Sequence, residues 1–409
     1  MIDLLTVLRS ILELFFLIQF IDFKCFMWFC VFQINIFTSK IKKKVTELEA
    51  LLCLQHVPNL GDSSIKKLIQ IVGSAVAVLE EKKANLLKID GIGKVKIASI
   101  HNKDHVTAMQ KEIDFIKKNK IQCITYLDKE YPYYLKQCLD SPVILFYSGK
   151  MDLLQRRMIS IVGTRKITTY GRQFCEQLIE DLVPFNPIIV SGFAYGVDIA
   201  AHKAAMKNNL QTIACLGHGL NQIYPKSHKQ YMSQMEENGG FLTDFWSDAT
   251  FIPQNFLKRN RIIAGISQAT IVIESADKGG SLVTAQMANS YNRDVFALPG
   301  RATDAMSIGC NMLIKTQQAH LITSVADLVY LLNWDTPIKK EKVIQPQLFI
   351  DLNTEEQSVV DFLAKSKKQD LDSIAIECKM PTYKLASLLL NLELKGVVQP
   401  LPGKLFDLV

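Results

Sequence analysis

Four stretches of this 409-residue chain set glycines beside hydroxyl or cationic side chains. They are Gly163-Thr164-Arg165 with Tyr170-Gly171, Ser191-Gly192 through Asp198, Gly217-His218-Gly219 with Tyr224-Pro225-Lys226, and Gly279-Gly280-Ser281 with Thr284. Thirteen of the 20 glycines fall between Gly163 and Gly309, which concentrates bare backbone amides in one region. Amides left open at helix starts, with a few cations beside them, make a site for phosphate. Arg165 and Lys226 are the candidate cations, the first able to fork onto a phosphate. A surface ion pair is the plainer role for Arg165. The Ser191 hydroxyl and the amides after it read as an anion nest. Asp198 and His202, one helical turn apart, read as a local structural pair and not as a catalytic acid and base.

The segment NFLKRNRIIAGIS adds an aromatic to the cations. On a helix Arg259 and Arg261 project in different directions, so one reaches the ligand edge and the other meets carboxylates of the core or of a neighbouring subunit. Phe256 stands at the loop-to-helix junction, where a ring would stack on a base while cations hold the backbone of a single strand. Core packing is its plainer role. In VIESADKGGSLVTAQMA, Glu274 ends a strand and Gly279-Gly280 form a phosphate-sized turn, with Ser281 and Thr284 at a helix start. No G-x-G-x-x-G follows the first strand, so neither a nicotinamide nor a flavin is expected, nor any other cofactor. Phosphoribohydrolases with a similar turn carry P-G-G-x-G-T-x-x-E; Gln286 leaves this chain without the acid, and an enzyme is not expected. A protein that senses a small nucleotide is a third reading.

Something must hold these loops along one edge. Apolar runs MISIVG, PIIVSG, TIACLG, ATIVIES and DVFALPG alternate with segments of helical period, such as GRQFCEQLIEDL, DIAAHKAAMKNN and SLVTAQMANSY. That alternation predicts an α/β fold with a parallel sheet covered on both faces and ligands at the carboxyl ends of its strands. The sheet domain spans 123–335. Before it, 45–122 reads as a small helical domain in which Asn59-Leu60-Gly61 and Asp90-Gly91-Ile92-Gly93 resemble helix-hairpin-helix turns. After it come a linker at 336–350 and a winged-helix pattern at 351–409 of three helices and a hairpin. From 352 to 409 there are eight acidic residues against seven lysines, which makes a protein contact as reasonable an expectation as DNA.

The totals set bounds. A net charge of +7 confines any nucleic-acid surface to a local patch. Nine scattered cysteines without a C-x-x-C pair argue against a zinc site or a disulfide framework and fit a reducing cytoplasm. Residues 1–44 are rich in Phe, Ile and Leu, but charges interrupt them short of the ~20 apolar residues a spanning helix needs. They are expected to be an extension that does not anchor the chain in a membrane.

Taken in order and spacing, GTRKITTYG, SGFAYGVDIAAH, GHGLNQIYP, NFLKRNRIIAGIS, ESADKGGSLVTAQMA and DVFALPG resemble the DprA (Smf, DNA-processing protein A) family from Ile124 to Leu332. The resemblance implies an extended Rossmann fold and a dimeric cytoplasmic protein of bacteria. Such a protein binds and protects single-stranded DNA in natural transformation and helps load the RecA recombinase. It further implies that Arg165 and Lys226 bind phosphate, that Phe256 touches a base, and that Gly192, Gly279, Gly280 and Thr284 line the pocket. The loop ATFIPQ before Phe256 departs from the family's glycine- and proline-rich segment, and residues 1–44 match nothing in it.

Overall fold

The computed structural model describes residues 45–335, 352–401 and 405–408. They divide into two compact units, split between positions 337 and 338. Segment 1–44 and the linker 336–350 lie outside the described residues, where the expectations for both therefore remain. Among the described residues no helix is long and apolar enough to cross a membrane.

The first unit opens with helices α1 (Glu47–Gln55), α2 (Asp62–Val72), α3 (Ala75–Glu80), α4 (Lys83–Leu86), α5 (Lys94–Ile97) and α6 (Lys103–Lys118). Thr46 and Glu49 form a reciprocal capping box that starts α1, and the Asn102 side chain caps α6. Leu51, Leu52, Leu54, Ile65 and Leu68 are fully buried in a core that also takes in Val143, Ile144, Phe146 and Trp246. The helical layer thus shares its core with the edge of the sheet domain. Gly61 and Gly93 stand at the N-caps of α2 and α5, and Lys96 donates to Ser64 Oγ (3.0 Å) and the Gly91 carbonyl (2.9 Å).

Nine strands form the sheet: β1 (Gln122–Thr125), β2 (Ile144–Lys150), β3 (Met158–Val162), β4 (Ile188–Ser191), β5 (Thr212–Cys215), β6 (Gly239–Thr243), β7 (Ala269–Val272), β8 (Asp294–Ala297) and β9 (His320–Leu321). Their spatial order is β1-β2-β6-β5-β4-β3-β7-β8-β9, with β2 antiparallel to both β1 and β6 and the remaining pairs parallel. Between them run α7 (Tyr133–Lys136), α8 (Thr169–Asp181), α9 (Val197–Lys207), α10 (Met232–Glu237), α11 (Pro253–Ile266), α12 (Gly280–Ser290), α13 (Ile308–Lys315) and α14 (Val325–Leu331). Every residue of β3 to β7 is buried, because helices cover both faces. Cys175, Leu178, Ala201 and Leu328 pack on one face, and Ile262, Ile263, Ala285, Ala288 and Leu313 on the other. After β3 the chain builds outward through β4, β5 and β6, then returns to β7 on the opposite side of β3. This reversal opens a crevice beyond the ends of β3 and β7, where an open α/β sheet binds its ligands.

The second unit is a winged helix: α15 (Thr354–Ser366), β10 (Gln369–Asp370), α16 (Leu371–Glu377), α17 (Thr382–Leu394), β11 (Val398–Leu401) and β12 (Leu405–Leu408). The expected hairpin of β11 and β12 is joined by β10, giving a three-stranded sheet in the order β10-β12-β11.

Candidate functional site

A cavity of about 470 Å³ fills the crevice. The end of β3 supplies Gly163, Thr164 and Arg165; the β7 end and the following turn supply Ser275, Ala276, Lys278, Gly279 and Gly280. From α11 come Phe256, Arg259 and Asn260, and from α12 Ser281 and Thr284. The loops stay this close because side chains are missing where backbones meet. Gly196 has φ 80°, and a Cβ there would stand 2.1 Å from the Thr164 carbonyl oxygen, so glycine is required on both counts. Hydrogen bonds then lock the rim: Thr164 N–H donates to the Glu274 carbonyl (2.7 Å), and Val197 N–H to that of Thr164 (3.1 Å).

The cavity suits an anion. No side chain caps the first turn of α12, whose amides at Gly280 and Ser281 open beside the exposed cations Arg165 and Lys278. Asn260 Nδ2 and Thr284 Oγ1 both donate to the Gly280 carbonyl, at 3.3 and 3.0 Å, and Ser281 Oγ donates to Ser275 Oγ at 3.0 Å, so the turn is braced from three sides. At the back stand Asp198 and Arg259. Burial raises the Asp198 carboxyl above the usual range, opposed by the Arg259 guanidinium. Arg259 donates to the Cys215 carbonyl and its Nε to Asn260 Oδ1 (3.3 Å). A Cβ on Gly192 would lie 2.4 Å from the Asp198 carboxylate and 2.8 Å from the guanidinium, which makes Gly192 the spacer between them.

Several expected residues lie elsewhere. Ser191 is fully buried and spends its hydroxyl on the Ile161 carbonyl (2.6 Å), so it joins strands and forms no anion nest. Gly192 is buried behind the wall instead of lining it. Gly171 and Tyr170 begin α8, but the Glu274 carboxylate already occupies that helix start. It accepts the Thr168 N–H at 2.8 Å and the Thr168 hydroxyl, and it would stand 2.5 Å from a Cβ on Gly171. Tyr170 is half exposed on a neighbouring cavity and donates to the Pro299 carbonyl (3.0 Å). Arg261 stands outside the crevice, paired with Asp62 (3.1 Å) and Asp244 and donating to the Asp140 carbonyl. It ties the helical layer to the sheet, the carboxylate-binding alternative of the two that the sequence offered for this arginine pair. Asp198 and His202 do not pair with each other: Asp198 accepts the Ala194 N–H (3.3 Å), and His202 bonds the Thr212 hydroxyl (2.6 Å) and the Gly192 carbonyl (2.5 Å).

Lys226 is exposed and lies outside the cavity, on a turn next to a group of rings. Tyr224, Phe251 and Phe256 have centroids 5.1, 5.5 and 5.7 Å apart, with Tyr224 and Phe251 each about 40% exposed. Phe256 belongs to both this group and the cavity, and its ring also packs on Gly217. Sequence reasoning missed Lys278, Asn260, Tyr224 and Phe251. For the last two a signal was present, since a second aromatic stands five residues before Phe256 and another two before Lys226.

Comparison with known proteins is consistent with this geometry. Residues 122–333 match the model of the family described as DNA recombination-mediator protein A, and residues 345–404 that of the DprA winged helix domain. The chain is 39% identical over 210 residues to DNA processing protein DprA of Streptococcus pneumoniae, covering 51% of this chain and 74% of that one. It is 34% identical over 284 residues to protein Smf of Escherichia coli, covering 67% and 74%. The X-ray structure of DprA from Streptococcus pneumoniae superposes with a TM-score of 0.62 at 32% identity, covering 70% of this chain and 98% of that one.

Proposed function

Because this chain belongs to the DNA recombination-mediator protein A family, we propose that the crevice beyond β3 and β7 binds single-stranded DNA. The observation that carries the reading is the uncapped start of α12 opening between Arg165 and Lys278, with an aromatic group on the same rim. A phosphate sits at the Gly280 and Ser281 amides, the two cations neutralise it, and the adjoining base lies on Phe256. Lys226, beyond the rings, meets a second phosphate of the same strand. The cavity has room for about one nucleotide, so the rest of the strand runs over the aromatic group.

Binding, and not bond cleavage, is the role we assign. Among the described residues Asp198 is the one carboxylate lining the cavity, and hydrolysis of a glycosidic bond works through a positioned acid and a second acidic or basic group. We further infer from the family that the protein acts as a cytoplasmic homodimer that protects incoming strands and helps load a RecA-type recombinase. Titration with oligodeoxythymidylates of graded length tests the core of the reading. Affinity should rise with length over several nucleotides and fall with salt. A preference for one mononucleotide, with no gain from length, would favour a nucleotide sensor.

A further inference from the structure

His218 is 1% exposed, and one of its ring nitrogens has no partner. Its Nδ1 lies 3.0 Å from the Gly219 carbonyl oxygen, so the proton belongs on Nδ1 and Nε2 presents a bare lone pair. The backbone here is fixed by the Thr243 hydroxyl, which donates to the His218 carbonyl at 3.0 Å. Burial lowers the pKa of the ring, which keeps it neutral and Nε2 an acceptor at ordinary pH. A buried acceptor left unpaired is costly, and such groups persist chiefly where a ligand or water completes them.

Beside this histidine lies Phe251, whose ring centroid is 5.8 Å away at a 38° tilt and which is itself 42% exposed. Phe251 in turn meets Tyr224 and Phe256 edge-on. A flat ring is therefore already accommodated between the other two aromatics and a hydrogen-bond acceptor, on the rim next to the phosphate cavity. We propose that this is a base-reading subsite: a nucleobase of the bound strand takes the place of the Phe251 ring, stacks against Tyr224 and Phe256, and donates a Watson–Crick N–H to His218 Nε2. The inference rests on the crevice being the single-strand site. It adds a second base position to the one on Phe256, with a contact that depends on the base's hydrogen-bonding edge and not on its face alone.

Three 12-nucleotide probes separate the two claims: oligothymidylate, its N3-methylthymidine counterpart, which lacks the N–H, and an abasic strand of the same length. The intact protein should bind the first several-fold more tightly than the second. His218→Phe keeps a ring and removes the acceptor; it should abolish that difference while leaving abasic binding unchanged. His218→Gln serves if the phenylalanine variant unfolds, and it should narrow the difference. Phe251→Leu, at an exposed position, clears the ring that the base displaces, so it should tighten thymidylate binding and spare the abasic strand. Equal affinity of the intact protein for the two thymidine probes, or a difference that survives in both His218 variants, would overturn the subsite. Arg165→Ala should weaken all three probes; if it weakens none, the crevice itself is not the DNA site.

Discussion

The Glu274 carboxylate accepts the backbone N–H of Thr168 at 2.8 Å and thereby places the chain's own anion at the start of α8. The start of α8 is thus occupied by the protein, whereas α12 opens onto the cavity with no side-chain cap. Ligand charge is therefore directed to the Gly279 turn. Glu274→Ala should cost roughly 2 kcal/mol in urea unfolding, since it leaves two donors at the helix start without their partner. Glu274→Gln, which keeps an acceptor, should recover part of that loss.

Arg165→Ala and Lys278→Ala should each weaken oligonucleotide binding whatever the base sequence. Each removes about one phosphate contact, so each should flatten the plot of log affinity against log salt by roughly 0.7. An unchanged slope in both variants would argue that neither cation meets the backbone.

Phe256→Ala should cost about 1 to 3 kcal/mol of binding through lost stacking. The loss should persist at high salt, where the contribution of the cations has faded. Fluorescence anisotropy at two salt concentrations separates the two kinds of loss.

Arg261→Ala should behave oppositely to the cavity cations. Leaving Asp62 and Asp244 without their partner should lower stability by about 3 kcal/mol, because Asp244 is deeply buried, with little change in the salt dependence of DNA binding. A loss of affinity with unchanged stability would return Arg261 to the ligand edge.

His202 predicts an acid limb in the stability profile. Burial lowers its pKa from 6.5 to about 4, and the neutral ring donates from Nε2 to the Gly192 carbonyl while Nδ1 accepts from the Thr212 hydroxyl. The unfolded chain takes up a proton near pH 6.5, whereas the native chain resists until about 4. The contribution, roughly 3 kcal/mol, is thus full above pH 6.5 and lost as pH falls through 4. His202→Gln should lose less stability than the parent between those values in denaturant titrations.

Strands with unbroken apolar runs, β3, β4, β5, β7 and β8, were legible because a doubly covered parallel sheet tolerates little else. β6 was not: it begins with Gly239 and Gly240 at φ 138° and 147°, where β2 approaches so closely that a Cβ on Gly240 would stand 1.9 Å from the Ser148 carbonyl oxygen. Packing across the sheet, and not local propensity, makes that segment a strand. At the site, spacing placed Arg165, Phe256 and the Gly279 turn on one edge. It could not show that Glu274 fills one helix start, or that Ser191 and Arg261 are committed to other parts of the fold. Those outcomes depend on partners between 17 and 199 positions away, which no local pattern encodes.

The segment from Asp244 to Ile252 joins β6 to α11, and it is bolted to the helical layer along the way. Trp246 Nε1 donates to Gln55 (2.7 Å), and the Ser247 N–H and hydroxyl donate to Glu112, at 3.0 and 2.5 Å. Four residues further on it presents Phe251 to the rim. The backbone that carries Phe251 to the rim is therefore anchored in the amino-terminal helices α1 and α6, so the placement of that ring depends on a layer outside the sheet.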